Sequence, residues 1–269
     1  MAGSSQSFRH GVLLWTVSGP FLDGLVLPPE TAYRTYGPVS YPPVMTSLGN
    51  AVTNAVASAV TPVKPKLRGW LHLCAAPLAL AAGIVLIALA DNGRARIASA
   101  VFAFSAVMLF GTSALYHRRT WGPRGEAILR RLDHANIFLI IAGTYTPFTV
   151  LLLHGSAERA LLYTVWIGAL VGIAFRVFWL KAPRWIYTPC YVALGWAAVF
   201  FMPQFMHSGG VAIVVMMIVG GVLYSLGALV YGTKRPDFSP RWFGFHEVFH
   251  TLTIAAFSLH FIGISMAAM

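Results

Sequence analysis

Residues 245–267 read FHEVFHTLTIAAFSLHFIGISMA, and the fold turns on this stretch. Its opening contains HEVFH, two histidines four apart with a glutamate after the first, which is the spacing of zinc proteases. On a helix that spacing puts His246 and His250 one turn apart on one face, where both imidazoles reach a single tetrahedral metal and Glu247 is a candidate base. In a soluble enzyme of that kind a third ligand comes from downstream. Here only His260 follows, almost three turns further along the same helix and out of reach of that metal. The run after His250 is otherwise apolar and long enough to cross a bilayer. The stretch therefore reads as a membrane helix with two histidines at its start, and the protease reading falls away.

The rest of the chain agrees. Of 269 residues, 57% are hydrophobic and 10% charged, against about 25% charged in ordinary soluble domains, and the mean hydropathy is +0.69. This composition belongs to a multi-pass protein of the cell membrane. Apolar runs of helical spanning length fall near 70–90, 97–117, 132–153, 160–180, 186–206, 211–231 and 246–267, which predicts an all-α bundle of seven transmembrane helices. Continuous apolar runs without alternating ten-residue segments argue against a β-barrel. The expected organisation is an N-terminal cytoplasmic segment, 1–63, followed by a membrane domain, 64–269.

The net charge of +11 raises nucleic acid as a partner, but the positions of the basic residues argue against it. Sorted by the expected loops, thirteen Lys and Arg fall on one side, including Arg68, Arg118, Arg119, Arg124, Arg130, Arg131 and Arg184, against three, Arg94, Arg96 and Arg159, on the other. This bias predicts a cytoplasmic N-terminus and an external C-terminus, with the basic loops touching anionic lipid. Arg176, within the fourth span, is expected to snorkel. Cys74 and Cys190 lie near cytoplasmic span ends, where disulfides do not form, and read as reduced packing residues.

The first 60 or so residues are rich in Gly, Pro, Ser and Thr, and their apolar stretch GVLLWTVSGPFLDGLVL is interrupted by Pro20 and Asp23. It is too broken for a span or signal peptide. Residues 46–61 suit a short helix on the inner membrane surface, and Met45 is an alternative start.

Ionisable residues inside spans are costly unless paired, hydrated or metal-bound. His117 ends the second span, with Ser113 one turn earlier on its face. Asp133 opens the third span, and His246 and His250 open the seventh. The second span runs toward the cytoplasm while the third and seventh start from it, so all five residues share one inner depth. Three neutral imidazoles with a carboxylate, or with a water held by one, complete a tetrahedral zinc site with an exchangeable position. His117, His246 and His250 are the expected ligands, with Asp133 either ligating the metal or holding its water. The same donors also hold iron or manganese. The plainer alternative is a set of interfacial histidines bonded to backbone or headgroups.

GTSALYHR (111–118), RLDHANIFLIIAGTYTPF (131–148), YVALGW (191–196) and FGFHEVFHTLTIAAFSLHF (243–261) resemble the hemolysin III membrane proteins. That family groups with the progestin and adipoQ receptors and, more distantly, the alkaline ceramidases. The resemblance covers about residues 70 to 267 and implies a seven-helix fold with a cytoplasmic-side zinc. Its Ser-x-x-x-His falls on Ser113 and His117, its third-span aspartate on Asp133, and its last-span His-x-x-x-His on His246 and His250.

Other positions read more simply. His260 is expected to hydrogen-bond across helices, and His134 to be interfacial or to support the site. His72, His154 and His207 lie at span ends, where nothing singles them out. Pro147 kinks the third span, with Thr144 and Thr146 satisfying freed backbone groups and Tyr145 facing a cavity. Gly168 and Gly172, spaced GxxxG, suggest a close helix contact within the bundle or between copies.

Three functions follow as expectations. The first is zinc-dependent hydrolysis of an amide or ester bond of a membrane lipid, with Asp133 orienting water and taking its proton and Ser113 bonding the oxyanion, or a related role in membrane homeostasis. The second is a non-catalytic, receptor-like membrane sensor pinned by zinc. The third, carried by the family name, is a pore-forming cytolysin, which strongly biased integral spans disfavour. No P-loop or haem motif is present, and no acidic residue lies at mid-membrane to relay ions.

Overall fold

A computed structural model describes residues 65–180, 182–239 and 241–269, together with Ser47, Ala51 and Val52. Those last three are helical and exposed; the remainder of the expected surface helix, and the earlier apolar stretch, lie outside the described residues. Pro62–Met269 forms one compact unit.

Among the described residues the regular structure is helical, with an isolated bridge between Ser239 and Phe243. The helices are α1 (Trp70–Leu89), α2 (Gly93–Arg118), α3 (Pro123–Leu152), α4 (Gly155–Phe178), α5 (Arg184–Gly195), α6 (Met202–Thr233) and α7 (Phe245–Ala268), with a 3-10 turn, Ala197–Phe201, between α5 and α6. Six stretches are long and apolar enough to cross a bilayer, the stretch Arg184–Thr233 counting as one of 50 residues. Large apolar side chains such as Phe178, Phe200, Ile97 and Leu78 face outward, as they do on a bundle solvated by lipid. The chain is a multi-pass membrane protein.

A straight helix of 50 residues would run about 75 Å, more than twice the hydrocarbon thickness. Arg184–Thr233 instead doubles back. Arg184 Nη1 donates to the Tyr231 carbonyl at 3.1 Å, the Tyr187 and Tyr231 hydroxyls lie 3.2 Å apart, and Trp196 Nε1 donates to Ser225 Oγ at 2.9 Å. The reversal passes through Gly210, at φ 73° and ψ 177°, a conformation essentially restricted to glycine. The break expected between 206 and 211 falls there.

Polar contacts define the two ends of the bundle. At one end Asp91 N–H donates to the Ala268 carbonyl at 3.0 Å and Arg94 pairs with Glu158. At the other, Lys66 N–H donates to Arg241 O at 2.9 Å, Arg68 pairs with Glu247, and Arg118 stacks on Trp70 at 4.0 Å. Apolar burial does not drive helix association in lipid, so close packing must. A Cβ on Gly143 would lie 2.0 Å from Ser105 Oγ, and one on Gly83 2.6 Å from Ala103 Cβ. The GxxxG pair works inside the bundle: Leu194 packs on Gly168 and the Phe138 ring on Gly172.

Several expectations are corrected. α3 starts at Pro123, so Arg124, Arg130 and Arg131 belong to its first turns rather than to a loop; proline at the helix start and Glu126 in the first turn suit the exposed N–H groups there. Arg176 does not snorkel. Its side chain is fully buried, bonded to His134 and stacked 4.1 Å from the Tyr187 ring centre, because it lies on the face of α4 turned toward the bundle. Cys74 and Cys190 are free thiols but exposed, so neither packs the interior.

Pro147 lies within α3 as expected, and Thr146 Oγ1 returns a bond to the Ala142 carbonyl at 2.8 Å. Tyr145 reaches across to the α5 break, where its hydroxyl donates to Gly195 O at 2.7 Å and accepts from Ala198 N–H at 2.9 Å.

Candidate metal centre

Each site residue is placed by a helix end. His117 lies in the last turn of α2, Asp133 in the third turn of α3, and His246 and His250 in the first two turns of α7. The start of α7 is fixed by Glu247, whose carboxylate accepts from Gly244 N–H at 2.9 Å and pairs with Arg68. That arrangement is a capping box lacking only the cap's own side chain. Gly69 completes the wall before α1: at φ 82° its backbone comes so close that a Cβ there would lie 2.8 Å from His117 Cβ.

The three expected ligands converge. One ligand atom from each of His117, His246 and His250 lies within 4.8 Å of the others. His117 Nε2 and His246 Nε2 are 3.2 Å apart, close to the edge of about 3.3 Å that metal–nitrogen bonds of about 2.0–2.1 Å give a tetrahedron. Asp133 Oδ2 stands 3.8 Å from His117 Nε2, a little beyond such an edge. His117, His250, Asp133 and Ser113 are all buried, and Ser113 interacts with the Asp133 carboxylate. Among the described residues these histidines, His246 half-buried and the other two buried, form a triad that can hold a metal ion.

Ser113, Asp133, His246 and His250 also line a cavity of about 120 Å³ that extends along α7 to His260. His260 Nε2 meets the Met217 carbonyl at 3.2 Å, a contact across helices as expected, in a gap left by Gly220. His134 lines the same cavity and meets Arg176.

His72 was not singled out by the sequence. It is buried, stacks on His250 with ring centres 3.7 Å apart and 10° between planes, and lines the cavity. Its place at the start of the first span, also at the basic end, puts it at the depth of the other histidines and is the signal for it in the sequence.

The sequence model of the Haemolysin-III related family matches residues 60–261. This chain belongs to that family. It is similar to Hemolysin-3 of Bacillus cereus, 29% identical over 221 residues covering 81% of this chain and 93% of the relative. It is 32% identical to a Hemolysin-3 homolog of Bacillus subtilis (strain 168), over 57% of this chain and 69% of that one. A Drosophila melanogaster adiponectin receptor protein is 26% identical over 65% of this chain and 43% of the receptor. In this haemolysin-III family protein, the matched region thus contains every residue of the histidine cluster.

Proposed function

We propose that this haemolysin-III family protein is a zinc-dependent hydrolase acting on the amide or ester bond of a membrane lipid. The observation that carries the reading is a three-histidine cluster with a carboxylate 3.8 Å from one ligand atom, opening onto a largely apolar cavity. Three protein ligands leave a fourth position exchangeable. A zinc ion held there would supply Lewis acidity toward a carbonyl and acidify water. Asp133 then orients the attacking water, accepts its proton, and returns that proton to the departing amine or alcohol as the C–N or C–O bond breaks. The Ser113 hydroxyl, beside Asp133, donates to the oxygen that gains negative charge as the carbonyl becomes tetrahedral.

The same reading takes Arg184–Thr233 as two crossings, which makes seven, with the basic end and the zinc site at the cytoplasmic face. The returning hydrogen bonds at Tyr231 and Ser225 support the count, and the positive-inside bias supports the orientation.

Metal content by mass spectrometry of the detergent-purified protein tests the reading. One zinc per chain is expected, lost in His117→Ala and His246→Ala, together with hydrolysis of amide or ester lipids that Asp133→Asn abolishes while the metal is kept. Zinc without turnover of any such lipid would favour the receptor-like sensor, in which the metal only pins α2 to α7. No metal in protein purified with zinc supplied would sink both.

A further inference from the structure

Beside the metal centre lies a fourth imidazole whose nitrogens bond to nothing. His72, in the first turn of α1, is 2% exposed, and among the described residues neither of its ring nitrogens has a hydrogen-bond partner. A neutral imidazole carries one donor and one acceptor, and leaving both unmade inside a bundle in lipid is costly. Packing alone does not account for the residue, because its neighbours are rings. Phe110 meets it edge-on at 5.0 Å and 71°, and His250 stacks on its face, a setting that a phenylalanine would fill without that cost. What a neutral imidazole offers beyond a phenyl ring is a lone pair for a metal ion.

His72 as placed is not a fourth ligand. The His72 and His250 ring centres are 3.7 Å apart with 10° between planes, and an imidazole holds an ion in the plane of its own ring. Two nearly parallel planes so separated do not share an ion about 2.0–2.1 Å from a nitrogen of each. The ligand atoms that lie within 4.8 Å of one another accordingly come from His117, His246 and His250. An ion on His72 thus occupies a different position from one on the triad, although the two rings touch. The cavity that His72 lines together with His246 and His250 leaves the ring room to turn between the two. Other side chains at this end do not compete for the ion: Arg68 and Arg118 have no lone pair to give, and the Glu247 carboxylate is engaged by Arg68 and the Gly244 N–H.

We propose that His72 is the entry ligand of the metal centre, taking up the ion as it sheds water and passing it to His117, His246 and His250, with the same part in reverse when the ion leaves. The inference rests on the metal site of the proposed function and not on hydrolysis. Only coordination changes: one imidazole lone pair replaces a water and is then itself replaced by a ligand of the triad, while the ion stays divalent. A ligand used only in passage lowers the barrier equally in both directions and leaves the equilibrium alone. A residue that merely steadies His250 would instead change the affinity.

Zinc exchange by the detergent-purified full chain tests this. Uptake by metal-stripped protein, loss to a chromophoric chelator, and Kd by competition are measured for wild type and for His72→Phe, which keeps a ring against His250 and removes both nitrogens. Both rates are expected to fall roughly tenfold, with Kd held within about twofold. Unchanged rates would overturn the proposal. So would faster loss and weaker Kd at unchanged uptake, the signature of a ring that only packs His250. Cobalt decides the matter if His72→Phe does not fold: uptake of Co2+ by wild type should pass through a weak early spectrum before the strong bands of a tetrahedral site, and single-step uptake would overturn the proposal. Slowed exchange in a protein that hydrolyses no lipid leaves the entry ligand standing and removes the enzymatic reading; wild-type exchange rates in His72→Phe, with lipid hydrolysis intact in the wild type, do the reverse. A wild-type chain that binds no zinc removes both.

Discussion

The Glu247 carboxylate is paired with Arg68, 179 residues earlier in the chain, and also accepts the Gly244 N–H. Both oxygens are therefore engaged away from His246 and His250, although Glu247 sits between them in the motif. Glu247 holds the segment before α1 to the start of α7 and thereby sets the position of His246.

Glu247→Gln should therefore act on stability and leave the metal site chemically complete. Glu247 is buried while Arg68 is partly exposed, so losing the pair costs about 1–3 kcal/mol, and a lower thermal transition is expected with zinc content retained. A variant as stable as wild type but inactive toward lipid would instead make Glu247 the base of the protease motif.

Gly69→Ala places a methyl against His117. The added Cβ would approach His117 Cβ to 2.8 Å, at a φ of 82° that other residues rarely adopt. Strain and displacement together should cost about 1–3 kcal/mol and loosen zinc, read as faster loss to a chelator. Unchanged chelator kinetics would show that this wall does not position His117.

Tyr145→Phe removes a hydroxyl that bonds both Gly195 O and Ala198 N–H. The buried Ala198 N–H and the half-buried Gly195 carbonyl lose this partner at the α5 break, for a loss of about 1–2 kcal/mol. Zinc content should be unchanged, because Tyr145 touches none of the three histidines. A stability equal to wild type would mean that water or a shifted backbone replaces the hydroxyl.

Single cysteines at Arg130 and at Ser156, in a chain with Cys74 and Cys190 replaced by alanine, test orientation. The positive-inside bias predicts that an impermeant maleimide labels Ser156→Cys on intact cells and Arg130→Cys only after lysis. The opposite pattern would invert the bundle.

Leu252→Asp, on α7 beside Gly227, measures how far the interior tolerates unpaired charge. A carboxylate at this depth costs about 2–3 kcal/mol or more, so poor membrane accumulation is expected. Normal accumulation would mean that water reaches this face.

The membrane class, the all-helical fold and the approach of His117, Asp133, His246 and His250 to one another were legible from the chain alone. Hydropathy reports the solvent of each segment directly, and alternating span direction assigns depth without coordinates. Arg176 was misread for a related reason: depth along a helix is visible in a sequence, but the face on which a side chain lies depends on the neighbouring helix. His72 was passed over because it carries no spacing motif, and its meaning comes from a ring on another helix.

The sequence by itself determined that the chain is a multi-pass membrane protein and which polar residues stand at the ends of its long apolar stretches, since both follow from one-dimensional patterns of polarity and length. Only the tertiary structure decided that Glu247 faces Arg68, that the GxxxG glycines receive Leu194 and Phe138, and that His72 stacks on His250 beside a cavity of unpaired polar atoms. Those are relations between helices, set by their rotation and close packing, and no local pattern encodes the rotation of one helix against another.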